Sequence, residues 1–213
     1  MTGLVIAVNK GGIPYAEDSL AVLQDFFDYN NTELVIVTED LPQNKYGAHP
    51  SWLKMFCHDI IEDDMVLCWD LDLLPIKRYK IEEFIQDRGK LNIGIETGLL
   101  YGFGMENFGP KFKYNCGFMG VPVYLKQAFL DIYEKRGMET HRSAWEQLYV
   151  NDFIVDENID INIIRPEYNC SLNNKKEFLP HTRNSHYTFG EMNVDVRAQM
   201  IKQHKINYFS QYE

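Results

Sequence analysis

The stretch DDMVLCWDLDLLPI, residues 63–76, decides how the rest of the chain is read. Its centre, Met65 to Trp69, is apolar without a break, the pattern of a strand buried on both faces of a parallel sheet. Asp70, Leu71 and Asp72 follow, two carboxylates separated by one apolar residue, and Pro75 closes the element. Leaving either carboxylate buried and unpaired would cost several kcal/mol, so a cation is expected here. Acids at i and i+2 just past a strand can converge on one divalent ion, and hard oxygen ligands suit Mg²⁺ or Mn²⁺. Such a metal commonly bridges to substrate phosphates, and open α/β sheets bind ligands beyond the C-terminal ends of their strands. The spacing therefore predicts a metal–diphosphate site on Asp70 and Asp72. An isolated Asp-x-Asp is more often a solvated turn; the buried strand before it tips the balance.

Upstream, Leu4 to Val8 is a short apolar strand broken by Asn9, Lys10, Gly11 and Gly12. After Pro14, the residues Ala16, Leu20, Leu23 and Phe27 recur at helical spacing, with Val22 and Phe26 widening the stripe. Leu34 to Val37 reads as a second strand, and this β–α–β unit implies a parallel sheet. No Gly-x-Gly-x-x-Gly follows the first strand, which argues against a dinucleotide-binding fold. Residues 51–61 predict a helix with Trp52, Met55 and Phe56 inward, leading into the central strand.

Downstream, the pattern predicts a short helix over 81–86 and a strand over 91–95. Residues 98–110, rich in glycine and aromatics, read as a functional loop. A glycine-interrupted strand over 113–121 suggests close approach of a ligand or another backbone. Helices follow through Leu125, Phe129 and Ile132 to the stop at Gly137, and from Ser143 to about Val155; Ile161 to Ile164 is a strand. The tail from Pro166 reads as polar and irregular apart from a helix from Val194 to about His204. With no repeat or linker, one α/β domain over residues 1–213 is expected.

Composition narrows the function. At 213 residues the chain can bury roughly 70% of its unfolded surface, and a 45% hydrophobic fraction supplies the core. A net charge of −10 argues against nucleic acid or an anionic membrane as partner, so an anionic substrate needs a metal or a few placed bases. The first apolar run is too short for a signal peptide or a membrane span, so a cytoplasmic setting is expected. Cys57, Cys68, Cys116 and Cys170 lack zinc-site spacing and read as reduced core thiols. The matches to a glycosylation pattern at Asn30 and Asn169 read as chance.

Other polar groups sit in apolar surroundings. Asn115 in Asn115-Cys116-Gly117 marks either a bulge or an amide aimed at a substrate hydroxyl. Ser143-Ala144-Trp145-Glu146 is a capping box, so Glu146 either caps the helix or faces substrate. Asp152 falls near the middle of that helix's apolar stripe and needs a polar cleft or a buried partner. His181 and His186 lie beside Arg183 in the tail; a tail folded back over the acids would supply an imidazole as third metal ligand.

Taken in order, these motifs resemble the GT-A glycosyltransferases, in particular the glycogenin-like retaining type. The resemblance rests on an Asn and a Tyr after the first strand, a mid-chain Asp-x-Asp, an Asn-x-Gly strand, an acid–Gln pair and a late His-aromatic-x-Gly. It implies a mixed, mostly parallel sheet flanked by helices, a UDP-sugar donor, Mn²⁺ or Mg²⁺, and a glycan or glycoprotein acceptor. It also implies that Val8, Asn9 and Tyr15 hold uridine and that Asp70, Asp72 and His186 hold the metal. Asn115, Glu146, Gln147 and Asn151 would reach the sugar. The family's phosphate-contacting Lys after the His motif is missing, and Lys54 and Arg183 are the candidate replacements. The chain as a whole also resembles the glycosyltransferase domains that build chlorella-virus capsid glycans, which implies a glucose- or rhamnose-type hexose, a host-cytoplasmic setting and further domains of a longer chain. Two alternatives stay open: a haloacid-dehalogenase-like phosphatase with Asp70 as nucleophile, and a sugar-nucleotide-binding domain without turnover. The first expects Thr or Val where Leu74 stands.

Overall fold

The structure, a computed structural model, describes residues 1–8, 10–95, 113–136, 145–171, 181–187 and 193–213. Strand β1 is Thr2–Ile6, and its Gly3 lets the first helix lie close, because a Cβ there would come within 2.3 Å of Phe27 Cε1. Helix α1, Ala16–Tyr29, buries Ala16, Val22, Leu23, Phe26 and Phe27, the stripe set by its apolar spacing. Strand β2, Leu34–Val37, pairs parallel with β1 and completes the β–α–β unit.

The helix expected over residues 51–61 takes a different form. Pro50–Phe56 is a 3-10 helix, and only Cys57–Ile60 winds as α-helix, α2. Trp52, Leu53, Lys54, Met55 and Phe56 are all buried. A single α-helical stripe cannot bury five successive residues, whereas a tightly wound segment wedged between layers can.

Strand β3, Met65–Trp69, is buried at every position. Val66 and Cys68 join one core cluster with Leu53, Phe129 and Val150; Met65, Leu67 and Trp69 join the other with Phe26, Phe27 and Ile201. This alternation explains why a strand covered on both faces reads as a continuous apolar run. Strand β4, Leu73–Pro75, comes directly after the acids, and residues 81–86 hold only a 3-10 turn, Ile81–Glu83.

The remaining elements are β5 (Leu91–Ile95), β6 (Tyr114–Pro122), α3 (Lys126–Arg136), α4 (Trp145–Asp156), β7 (Ile161–Ile164), β8 (Cys170–Ser171), β9 (Asn184–His186) and α5 (Val194–Phe209). Six strands form the central sheet in the order β2-β1-β3-β6-β5-β7. Strand β6 runs against β3 and β5, and the other pairings are parallel, so the sheet is mixed and mostly parallel.

The tail is more ordered than its composition suggests. Strands β8 and β9 join β4 in a second sheet, and α5 continues past His204 to Phe209. All four cysteines are buried. Among the described residues no helix is long and apolar enough to cross a membrane. The loop expected over 98–110 lies outside the described residues.

Candidate metal centre

Chain geometry at the end of β3 makes the site. Asp70 N–H donates to Gly117 O at 2.8 Å, which fixes the first acid against β6. The backbone then turns, with Leu73 N–H donating to Asp70 O at 3.1 Å and Trp69 Nε1–H to Leu73 O at 2.6 Å. Strand β4 pairs antiparallel with β9 so that Leu73 faces His186, and Tyr187 N–H donates to Asp72 O at 2.9 Å. That register carries the tail's imidazole to the acids. His186 Nε2 lies 3.7 Å from Asp70 Oδ2 and 3.4 Å from Asp72 Oδ1.

The three side chains offer ligand atoms within 4.8 Å of one another. His186 Nδ1 lies 2.9 Å from Asn169 Oδ1, which can only accept, so Nδ1 carries a proton and Nε2 is the atom turned to the acids. There Nε2 shares a proton with a carboxylate or gives its lone pair to a cation. Burial pushes Asp72 up, but its hydrogen bond to His186 and the charges of His186 and Arg197 hold its carboxyl below the usual range. Gly117 leaves the space open: a Cβ there would lie 2.6 Å from Asp70 Oδ2 and 2.8 Å from both Asn115 Oδ1 and His186 Cε1. Two carboxylates and an oriented imidazole around a glycine-lined space could hold a divalent metal ion.

A buried lysine flanks the acids on one side. Lys54 Nζ lies 2.5 Å from Asp70 Oδ1 and donates to Cys116 O at 3.0 Å. Burial alone would lower its pKa, but the charges of Asp70 and Glu146 outweigh that and raise it above the ordinary lysine value. Glu146 is buried near the start of α4, where Ser51 Oγ–H donates to its Oε2 at 3.0 Å. Burial raises the Glu146 carboxyl, Lys54 draws it back, and Asp70 raises it again. Asp70, Lys54 and Glu146 thus form one charge cluster in which the lysine separates two acids. The capping partner Ser143 lies outside the described residues.

The other sequence-predicted positions divide. Tyr15 stands at the start of α1 with its hydroxyl accepting from Arg197 Nη1 at 3.3 Å. Burial first, then the charge of Asp72, raises its phenol, which puts it beside the acids. Val8 is half-buried just past β1, and Asn9 lies outside the described residues. Asn115 Oδ1 accepts from Gly117 N–H at 2.8 Å, so the amide braces the strand while bordering the same space.

Gln147 and Asn151 turn to the backbone of β6. Gln147 Oε1 accepts from Cys116 N–H at 3.1 Å. Asn151 accepts from Tyr114 N–H at 2.8 Å and donates to Tyr114 O at 2.9 Å and Gln147 O at 2.7 Å. Both amide protons of Asn151 are used and its exposure is 0%, so it fastens α4 to β6, and the sugar contact expected of it has no donor left to form it. Asp152 is half-buried further along α4, past the charge cluster. Arg183 pairs with Glu83 at 3.7 Å instead of the acids, and His181 is exposed.

Two residues of the site are absent from the expectations. Asn169, dismissed above as a chance glycosylation match, is buried and orients His186. Arg197, on the first turns of α5, brings Nη1 to 3.3 Å from Asp72 Oδ2. Neither has a local signal, because each partner arrives from a distant part of the chain.

No family model and no curated protein matches the chain. Solved structures match its shape. A glycosyltransferase involved in the glycosylation of the major capsid of PBCV-1 superposes with a TM-score of 0.67 and 14% identity, covering 95% of this chain and 98% of its own. The galactosyltransferase LgtC, solved with donor and acceptor sugar analogs, gives 0.65 and 12%, covering 99% of this chain and 96% of that one. The glycosyltransferase GlyE of Streptococcus pneumoniae TIGR4 gives 0.55 and 13%, over 98% of this chain and 64% of its own length. The chain has the GT-A fold of these glycosyltransferases.

Proposed function

We propose that the chain is a metal-dependent glycosyltransferase that moves a hexose from a UDP-sugar to a glycan or glycoprotein acceptor. One observation carries this: two acids from one turn and an oriented histidine from a distant strand meet at the C-terminal edge of the sheet, in a fold shared with glycosyltransferases. Asp70, Asp72 and His186 would hold Mn²⁺ or Mg²⁺, which when bound supplies Lewis-acid stabilisation of the diphosphate leaving group.

The chain's own groups do the rest. Lys54, kept charged by its two acids, holds Asp70 in place and adds positive potential next to the leaving group. Lys54 is the buried partner, so removing Asp70 would leave its charge uncompensated, a loss that costs about 3–5 kcal/mol for a buried pair. Glu146, on the far side of Lys54, is the carboxylate placed to face the donor sugar and the positive charge that develops at its anomeric carbon. Tyr15 and Val8 border the nucleoside end, with the Tyr15 ring offered to uracil.

Retention is part of the proposal, as is a glucose- or rhamnose-type donor. The capsid glycosyltransferase among the structural neighbours supports a viral glycan acceptor; a host-cytoplasmic setting and further domains of a longer chain belong to the proposal through the sequence resemblance alone. A phosphatase with Asp70 as nucleophile is disfavoured, because Lys54 holds one oxygen of that acid while the other borders His186. A binding domain without turnover differs only in rate. The test is consumption of UDP-glucose, UDP-galactose and UDP-rhamnose with Mn²⁺, Mg²⁺ or chelator. Metal-dependent release of UDP from one of them is expected; UDP bound but never released from any sugar nucleotide would leave only the binding-domain account.

A further inference from the structure

Arg197 deserves a role of its own, because its position is built rather than incidental. On α5 it begins a face that continues through Ile201, Lys205 and Tyr208. Ile201 is fully buried, Lys205 Nζ lies 2.8 Å from Asp18 Oδ1, and Tyr208 Oη–H donates to Asp25 Oδ2 at 2.7 Å. Contacts spread over three turns thus dock α5 against α1 and leave Arg197 no freedom to swing away as a surface arginine would. Its guanidinium reaches Asp72 Oδ2 and the Tyr15 hydroxyl, both at 3.3 Å, and stacks near the Tyr15 ring with Cζ 5.7 Å from the centroid.

Asp72 therefore divides its two oxygens: Oδ1 faces His186 and Oδ2 faces Arg197. A divalent ion on the acids and His186 would take over much of the negative charge that holds the guanidinium. The arginine would then stand one carboxylate away from the metal, between it and the tyrosine at the nucleoside end. A diphosphate bridging to that metal would meet it there. A guanidinium is the side chain whose fork matches phosphate oxygens. Lys54, the other cation of the cluster, is buried on Asp70 and Cys116 O.

We propose that Arg197 is the diphosphate-positioning residue, held by Asp72 until metal enters and then passed to the donor's phosphates. This rests on the reading of the site as one for a nucleoside diphosphate with a metal.

Calorimetric titration of Mn²⁺ alone, then of UDP and of uridine in saturating Mn²⁺, tests it in wild-type protein, Arg197→Gln and Arg197→Lys. The expected result is a loss of UDP affinity of about tenfold or more in Arg197→Gln, with a smaller loss in Arg197→Lys. Uridine binding stays as in wild type, and Mn²⁺ alone binds as well or more tightly, because Asp72 has lost a competitor. The lysine variant, which keeps the charge beside Asp72, answers the question if the glutamine variant melts early. Equal losses for UDP and uridine would show that Arg197 merely supports Tyr15 and would overturn the proposal, as would UDP affinity at the wild-type level in both variants. Wild-type protein that binds no UDP in Mn²⁺ would overturn the glycosyltransferase reading itself.

Discussion

Helix α4 and the end of β3 both place polar side chains in the interior, and they settle them in opposite ways. On α4, Gln147 gives its side-chain oxygen and Asn151 both ends of its amide to the backbone of β6. At the end of β3, Asp70 and Asp72 converge with His186 on a space that Gly117 keeps open. The difference is one of charge and closure. A buried amide can complete its bonds with fixed backbone groups and becomes structure. Two like charges brought together cannot cancel each other, so they call for cations: Lys54 and Arg197 built into the chain and, in the function proposed, one added from outside. Glu146 belongs to the second group although it sits on α4, because its neighbours are Lys54 and Asp70.

The contrast breaks most sharply at Asn151. Asn151→Ala leaves the backbone N–H and C=O of Tyr114 buried without their amide partner, and should destabilise the fold by about 3 kcal/mol or more in chemical denaturation. Mn²⁺ binding by the folded fraction should survive. A variant as stable as wild type that has lost metal would put Asn151 in the site after all.

Glu146→Gln should do the reverse. It retains an acceptor for Ser51, so the melting temperature should hardly move, while turnover falls by about 100-fold, on the order of 3 kcal/mol. Stability against pH sharpens the point. Because burial raises the folded-state pKa of Glu146, its contribution is full below the ordinary glutamate value and is lost as pH rises through the raised value. The glutamine variant should lack that decline. If Asp152→Asn slows the reaction and Glu146→Gln does not, the acting acid lies further along α4.

A smaller effect is expected at Tyr15. Tyr15→Ala should weaken UDP by about 1–3 kcal/mol through lost base stacking. The same loss for a sugar phosphate without the base would reduce the ring to support for Arg197.

How far the sequence spoke depended on distance along the chain. The run from Met65 to Trp69 and the acids after it were legible because burial on both faces and the change to charge are both local. The β1–α1–β2 unit was legible from apolar spacing. Residues 50–60 misled because helical spacing does not separate a 3-10 wedge from an α-helix when all sides are covered. Strands β8 and β9 hold two and three residues, too few to show any alternation. The tail offered two histidines as a third ligand and only the resemblance chose His186, whose partner Asn169 sits 17 positions away. Arg197 lies 125 positions from Asp72, on a helix whose exposed Val194, Val196 and Met200 obscure its packed face.

The central claim is that the acids at the end of β3 wait for a metal that brings the nucleotide. Calorimetry of UDP binding with Mn²⁺ and with chelator, in wild-type protein and in Asp72→Asn, tests it most directly. The account predicts binding that needs Mn²⁺ in wild type and falls by about 100-fold or more in the variant, with the melting profile retained. UDP binding that ignores the chelator, or unchanged affinity in Asp72→Asn, would contradict it.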